Sequence, residues 1–206
     1  FTPDLVWLKQ RDGTAWHTWI DSTRGGSKRI VSNSSNAETT DVNRLTSFDT
    51  GGFTLGTDGD CNGDGKDFVA WCFKANGGTT SSNTDGTITS TVQANTDAGF
   101  SIVKYVGNGS ASQTYGHGLG VKPDMIITKE LDSATYAWTV WHKDLTSDNY
   151  FLKLNASDAQ GDGLGTAFNS GISSSVVGIG NSGQVNKNAS NYISYCFADI
   201  DSVSKF

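Results

Sequence analysis

Two stretches decide how this chain is read: Phe68-Val69-Ala70-Trp71-Cys72-Phe73 and Tyr192-Ile193-Ser194-Tyr195-Cys196-Phe197. Each is short, rich in aromatic and β-branched residues, and flanked by polar turn formers, which is the composition of a β-strand. Side chains alternate along a strand, so Val69, Trp71 and Phe73 share one face, as do Ile193, Tyr195 and Phe197. That apolar face is expected to be the core side. Ala70 and Cys72, like Ser194 and Cys196, then point the other way. Cys72 and Cys196 end equivalent strands of two separate units. This predicts thiols that are free or buried against a polar face, and not bridged to each other.

Working outward, the same pairing continues along the chain. Pro3-Asp4-Leu5-Val6 matches Pro123-Asp124-Met125-Ile126, and Lys9 matches Lys129. Trp16 and Trp19 match Trp138 and Trp141. Asn33-Ser34-Ser35-Asn36-Ala37 matches Asn155-Ala156-Ser157-Asp158-Ala159, and Ser47-Phe48-Asp49 matches Ala167-Phe168-Asn169. The two halves therefore read as copies of one unit. The expected organisation is a first repeat over 1–76, shortened at its start, a Ser/Thr/Asn-rich spacer or hairpin over 77–97, and a second repeat over 98–206. No segment sustains a helical period, and turn clusters such as DTGG and GNSG separate the strand candidates. The expected fold is an all-β sandwich made of two similar sub-sandwiches.

Composition supports this and excludes several function classes. The chain of 206 residues has 25 Gly, 2 Pro, 11% aromatic and only 17% charged residues. So many aromatics do not suit a disordered tail, and two glutamates with few Ala or Leu runs do not make a helical bundle. No apolar run is long enough for a membrane helix, so no membrane insertion is expected. The net charge is −6. Arg24, Lys28 and Arg29 form the densest basic stretch, too little for a nucleic-acid partner. Three cysteines at wide spacing suit neither a disulfide scaffold nor a zinc site. The start, FTPDLVW, has neither Met nor a signal peptide and reads as part of a longer chain.

One loop has the residues of a metal site. Asp58, Asp60, Asn62 and Asp64 place oxygen ligands at alternate positions, with Gly63 at the sharp turn, as in the first half of a calcium loop. Position 12 of such a loop would be Val69 in place of a bidentate glutamate. Asp, Asn and Gly are also ordinary hairpin formers, and the second copy, SGQVNKN, keeps the loop without its carboxylates, so a metal-free turn is the favoured reading. Trp19, Trp138 and Trp141 are the tryptophans expected to be exposed for stacking on sugar rings, with Asp60 as a polar partner. Paired tryptophans also suit a core. No enzyme is expected: His17, His117 and His142 lie far apart, Glu38 and Glu130 do not form a glycosidase pair, and there is no nucleophile elbow or phosphate loop.

The segments FTPDLVWLKQRDGTAWHTWIDSTRGGSKRIVSN, SNTDGTITSTVQANTDAGFSIVKYVGNG and YCFADIDSVSKF resemble a tandem-repeat domain of unknown function found in virion proteins of marine tailed bacteriophages. The resemblance runs the length of the chain. It implies a concanavalin-like jelly-roll sandwich of the lectin kind, set in a tail fibre, appendage or capsid decoration at the virion surface. It further implies glycan or other virion proteins as partners, and homo-oligomerisation through a parent protein. The DS-x-RG motif at Asp21–Gly25 has no counterpart in the second copy, where HKDLTSD stands. The expected activity is non-enzymatic glycan binding. A purely structural spacer and, more remotely, a polysaccharide depolymerase are the other readings.

Overall fold

The repeat in the sequence is a repeat of topology. The computed structural model describes residues 1–169, 171–201 and 203–205. The first half runs β1 (Leu5–Gln10), β2 (Thr18–Asp21), β3 (Lys28–Val31), β4 (Thr39–Thr40), β5 (Leu45–Asp49), β6 (Gly52–Leu55), one helical turn α1 (Gly59–Asn62) and β7 (Phe68–Phe73). Next come β8 (Ser81–Asn83), β9 (Ser90–Asn95), β10 (Phe100–Val106) and β11 (Gln113–Gly116). The second half repeats the order with β12 (Met125–Glu130), β13 (Thr139–His142), β14 (Tyr150–Lys153), β15 (Gly161–Asp162), β16 (Val176–Ile179), α2 (Gly183–Asn186) and β17 (Asn191–Phe197). A bridge from Phe168 to Ile179 stands where β5 pairs β6.

Strand order is conserved between the halves. The first sheet is β4-β3-β2-β1-β7; the second is β15-β14-β13-β12-β17, extended past β17 by β10-β9-β8. Residues 77–97 are therefore not a linker. They supply β8 and β9, joined by a hairpin around Thr84-Asp85-Gly86, to the second sheet.

Alternation places three cores in layers. Along β1, Leu5 and Trp7 face the second sheet, while Val6 and Leu8 face β5–β6 and α1. Along β17, Ile193, Tyr195 and Phe197 join Leu5 and Trp19 in the shared core, while Tyr192 and Cys196 face the outer core beneath β11–β16. Each half is a small sandwich, and the two are joined through their inner faces. β12 and β17 are buried on both faces, and besides their apolar residues they bury Thr128, Lys129, Glu130 and Ser194.

Several expectations need correction. Trp71 lies on the expected face but is 42% exposed. The second sheet covers Phe73, which packs on Phe100 and Phe197, and does not bury Trp71. Cys72 and Cys196 are free, as expected; Cys196 is buried in one outer core beside Ser101, and half-buried Cys72 packs against the other. The tryptophan pairing slips by one residue. Trp7 pairs Trp19, whereas the equivalent Ile127 pairs Val140. Trp19 thus matches Val140, Ile20 matches Trp141, and His17 matches Trp138. A one-residue slip exchanges faces, which is why Trp19 lies in the shared core and Trp141 in an outer one. Likewise Phe168 matches Leu45, not Phe48, because Leu45 pairs Leu55 as Phe168 bridges Ile179.

The unrepeated DS-x-RG motif fastens the halves together. Arg24 is buried, with Nε 2.5 Å from Asp21 Oδ2 and Nη1 3.1 Å from Glu38 Oε2. Tyr195 of the second sheet donates to Asp21 Oδ2 at 2.8 Å. Burial works against the Arg24 charge, but Asp21, Tyr195 and Glu38 outweigh it and hold the guanidinium above its ordinary pKa. Gly25 adopts φ +101, and a Cβ on Gly26 would meet the Leu45 carbonyl oxygen at 2.3 Å. The tight turn therefore needs both glycines.

Candidate functional site

Where the inner faces diverge, they leave a cleft of about 710 Å³. Trp7, Trp19 and Phe73 line it from the first sheet, and Met125, Ile127 and Phe197 from the second. Equivalent positions contribute from both sides: Phe73 with Phe197, and Asn33 with Asn155. The cleft is thus a pseudo-symmetric product of the repeat.

Its principal feature is the Trp7–Trp19 pair, part of a row of tryptophans that Trp71 continues to the sheet edge outside the cleft lining. Register places Trp71, Trp7 and Trp19 directly opposite one another across β7, β1 and β2. Ring centroids are 4.5 Å apart for Trp7–Trp71 and 5.2 Å for Trp7–Trp19. The row continues into the core, with Trp19 lying 5.3 Å from Trp138 and 5.1 Å from Tyr195. Tilted ring pairs at these spacings are favourable and hold one another's orientation. The row therefore grades from a half-open indole at the sheet edge to a buried one. Trp19 is only 3% exposed, and its Nε1 has no hydrogen-bond partner among the described residues.

Polar groups stand at the rim. Trp7 Nε1 donates to His17 Nδ1 at 3.3 Å, so His17 is neutral with that nitrogen unprotonated. Burial, and then the Lys9 charge, hold the His17 pKa below 6.5. Asn33 Oδ1 accepts from the His17 amide at 3.0 Å, and Asn155 Oδ1 accepts from the Trp138 amide at 2.9 Å. These bonds fix both side chains and leave their amide nitrogens without partners among the described residues. The site thus offers flat apolar surfaces with donors at the edge. Among the described residues, no carboxylate pair lines it.

The residues proposed from sequence are dispersed. Trp19 is in the cleft, but Trp138 is fully buried and Trp141 is 1% exposed. Trp138 serves as a cross-half anchor, donating to Val31 O at 2.9 Å and Ser34 O at 3.1 Å. Asp60 lies away from the cleft and pairs with Arg29 at 2.6 Å. Asp58 caps α1, accepting from the Asp60 amide, and lies 3.4 Å from Arg44 Nε. Asn62 donates to Gly56 O at 2.8 Å, and Asp64 is exposed. Among the described residues no group of three or more His, Cys, Asp or Glu is placed to hold a metal ion. The loop is a capped helical turn whose first two carboxylates face arginines.

Sequence reasoning missed Trp7, His17, Asn33 and Asn155 as site residues. Part of the signal was present, since Trp71 lies on a face already assigned and Trp7 in a stretch matched to Ile127. Their meeting depends on which strands become neighbours, which alternation does not specify. No curated protein and no solved structure matches this chain. A family model matches it across residues 1–206, and the chain belongs to that family, the domain of unknown function DUF7483.

Proposed function

We propose that this domain is a non-enzymatic glycan-binding module whose ligand lies in the inter-sheet cleft. The Trp7–Trp19 pair, continued by Trp71 at the sheet edge, carries this reading. Indole faces pack on the apolar faces of pyranose rings, and the Asn33 and Asn155 amides supply donors for hydroxyls. The resemblance to phage virion repeats supports a setting on a tail fibre, appendage or capsid decoration, outside the cell, and a concanavalin-like jelly-roll ancestry. The glutamates support a non-enzymatic role. Glu38 is paired with Arg24 and Lys28, and buried Glu130 accepts from Ser133.

Titration against a panel of bacterial and marine polysaccharides tests the reading. Binding should be selective, and Trp7→Ala should weaken it about tenfold, the loss of one stacked ring. Equal affinity in Trp7→Ala would remove the cleft as the site. Release of oligosaccharides by the pure domain would overturn the non-enzymatic assignment. A structural role against other virion proteins is the second reading, favoured by the bare edge of β7. It predicts flat binding across the panel.

A further inference from the structure

The two large sheets present four lateral edges, and three are ill-suited to pairing. β4 and β15 have two residues each, and β8 is the short polar run Ser81–Asn83. The fourth is β7, six residues long, without charge or proline, and paired only with β1 among the described residues. Protein sheets usually shorten, charge or cover such an edge, because its free backbone groups template another strand. Ala70 and Trp71 of β7 are exposed.

The other half of the molecule contains the covered form of the same edge. β17 is the counterpart of β7, and β10 lies along it antiparallel from Phe100↔Phe197 to Val106↔Asn191. Position by position, the two edges are alike: Phe73 for Phe197, Cys72 for Cys196, Trp71 for Tyr195, Ala70 for Ser194, Val69 for Ile193 and Phe68 for Tyr192. A strand that fits β17 therefore meets aromatic, small and β-branched residues in the same order on β7. Main-chain pairing supplies affinity in such strand addition, and alternate side chains supply specificity.

We infer that the free edge of β7 is a strand-addition site for an extended antiparallel segment with the side-chain pattern of β10, contributed by a partner polypeptide. The incoming strand would place its counterpart of Ile102 beside Trp71 and so lengthen the tryptophan row by an aliphatic neighbour. The added strand would lie beside Trp71, outside the residues that line the cleft.

The test uses the intact domain and a synthetic peptide of residues 98–107, AGFSIVKYVG, with a scrambled peptide as control. Saturable binding is expected, with slower amide hydrogen exchange in β7 on addition of the peptide. Ala70→Lys puts a charge on an exposed edge position and should leave the melting temperature unchanged while weakening the peptide about fivefold. Three results would each overturn the inference: no saturable binding, binding that leaves β7 exchange unchanged, or equal affinity in Ala70→Lys. A dimer with β7 already protected in the absence of peptide would overturn it too, assigning the edge to a second β7.

Discussion

β7 and β17 occupy the same place in their repeats yet live in different surroundings. β17 lies between β12 and β10, with cores on both faces, and Tyr192 to Ala198 are buried. β7 has a neighbour on one side only, and Trp71 remains 42% exposed where its counterpart Tyr195 is fully buried. Sequence similarity preserves which face a residue takes. Burial depends on what lies above and beside the strand. The uncovered copy is where an aromatic residue becomes available for binding, and the covered copy is where it becomes structure.

The largest expected contrast is between tryptophans. Trp138→Ala removes a fully buried side chain with two cross-half hydrogen bonds and should cost about 3–5 kcal/mol in denaturant unfolding. Trp71→Ala, losing one stacked neighbour, should cost about 1 kcal/mol. Equal costs would break the comparison. Next is the Arg24 lock. Arg24→Ala leaves Asp21 buried without its cation and should cost about 3–5 kcal/mol. Lys153→Ala breaks the exposed pair with Asp158 and should cost under about 1 kcal/mol.

Lys9 and Lys129 sharpen the contrast. Lys9 is half-buried and reaches Gln10 O and Gly13 O, whereas Lys129 is fully buried and donates to Glu130 O. Burial lowers the Lys129 pKa to about 8, against an ordinary 10.5. Between those values the unfolded chain holds the proton more tightly, so this lysine's contribution to stability improves as pH rises through the window. Lys129→Met should stabilise the domain by roughly 1–4 kcal/mol at neutral pH. That advantage should shrink as pH climbs from about 8 to 10.5. A constant advantage across pH would contradict a buried cation.

On the acid side, burial lowers the pKa of both His17 and His117 below 6.5. The stability this represents is complete above 6.5 and is lost as pH falls through the lowered folded values. Ring resonances followed by NMR should titrate below those of a model histidine, and loss of the Trp7–His17 bond should accompany His17 protonation. The smallest effect concerns the thiols. Burial pushes Cys61 and Cys196 up to about 12, while Cys72 is raised less and is only half-buried. A thiol reagent at pH 8 should label Cys72 first. Simultaneous labelling of all three would mean that the outer cores open together.

The amino-acid sequence by itself determined the all-β class, the repeat, and the faces of β7 and β17, because alternation and turn chemistry are local properties. It also marked DS-x-RG as unusual without indicating that Tyr195 completes it. Tertiary structure decided the rest. The tryptophan register turned on a single residue in the β1–β2 hairpin, and one position of slip moves a ring between cores. Asp58 and Asp60 have the spacing of calcium ligands, but Arg29 of β3 and Arg44, just before β5, meet them. The cleft exists only because two inner faces pack and then part, so the aromatic row, drawn from three strands and closed by the second sheet, follows from strand adjacency and layer coverage that no local pattern encodes.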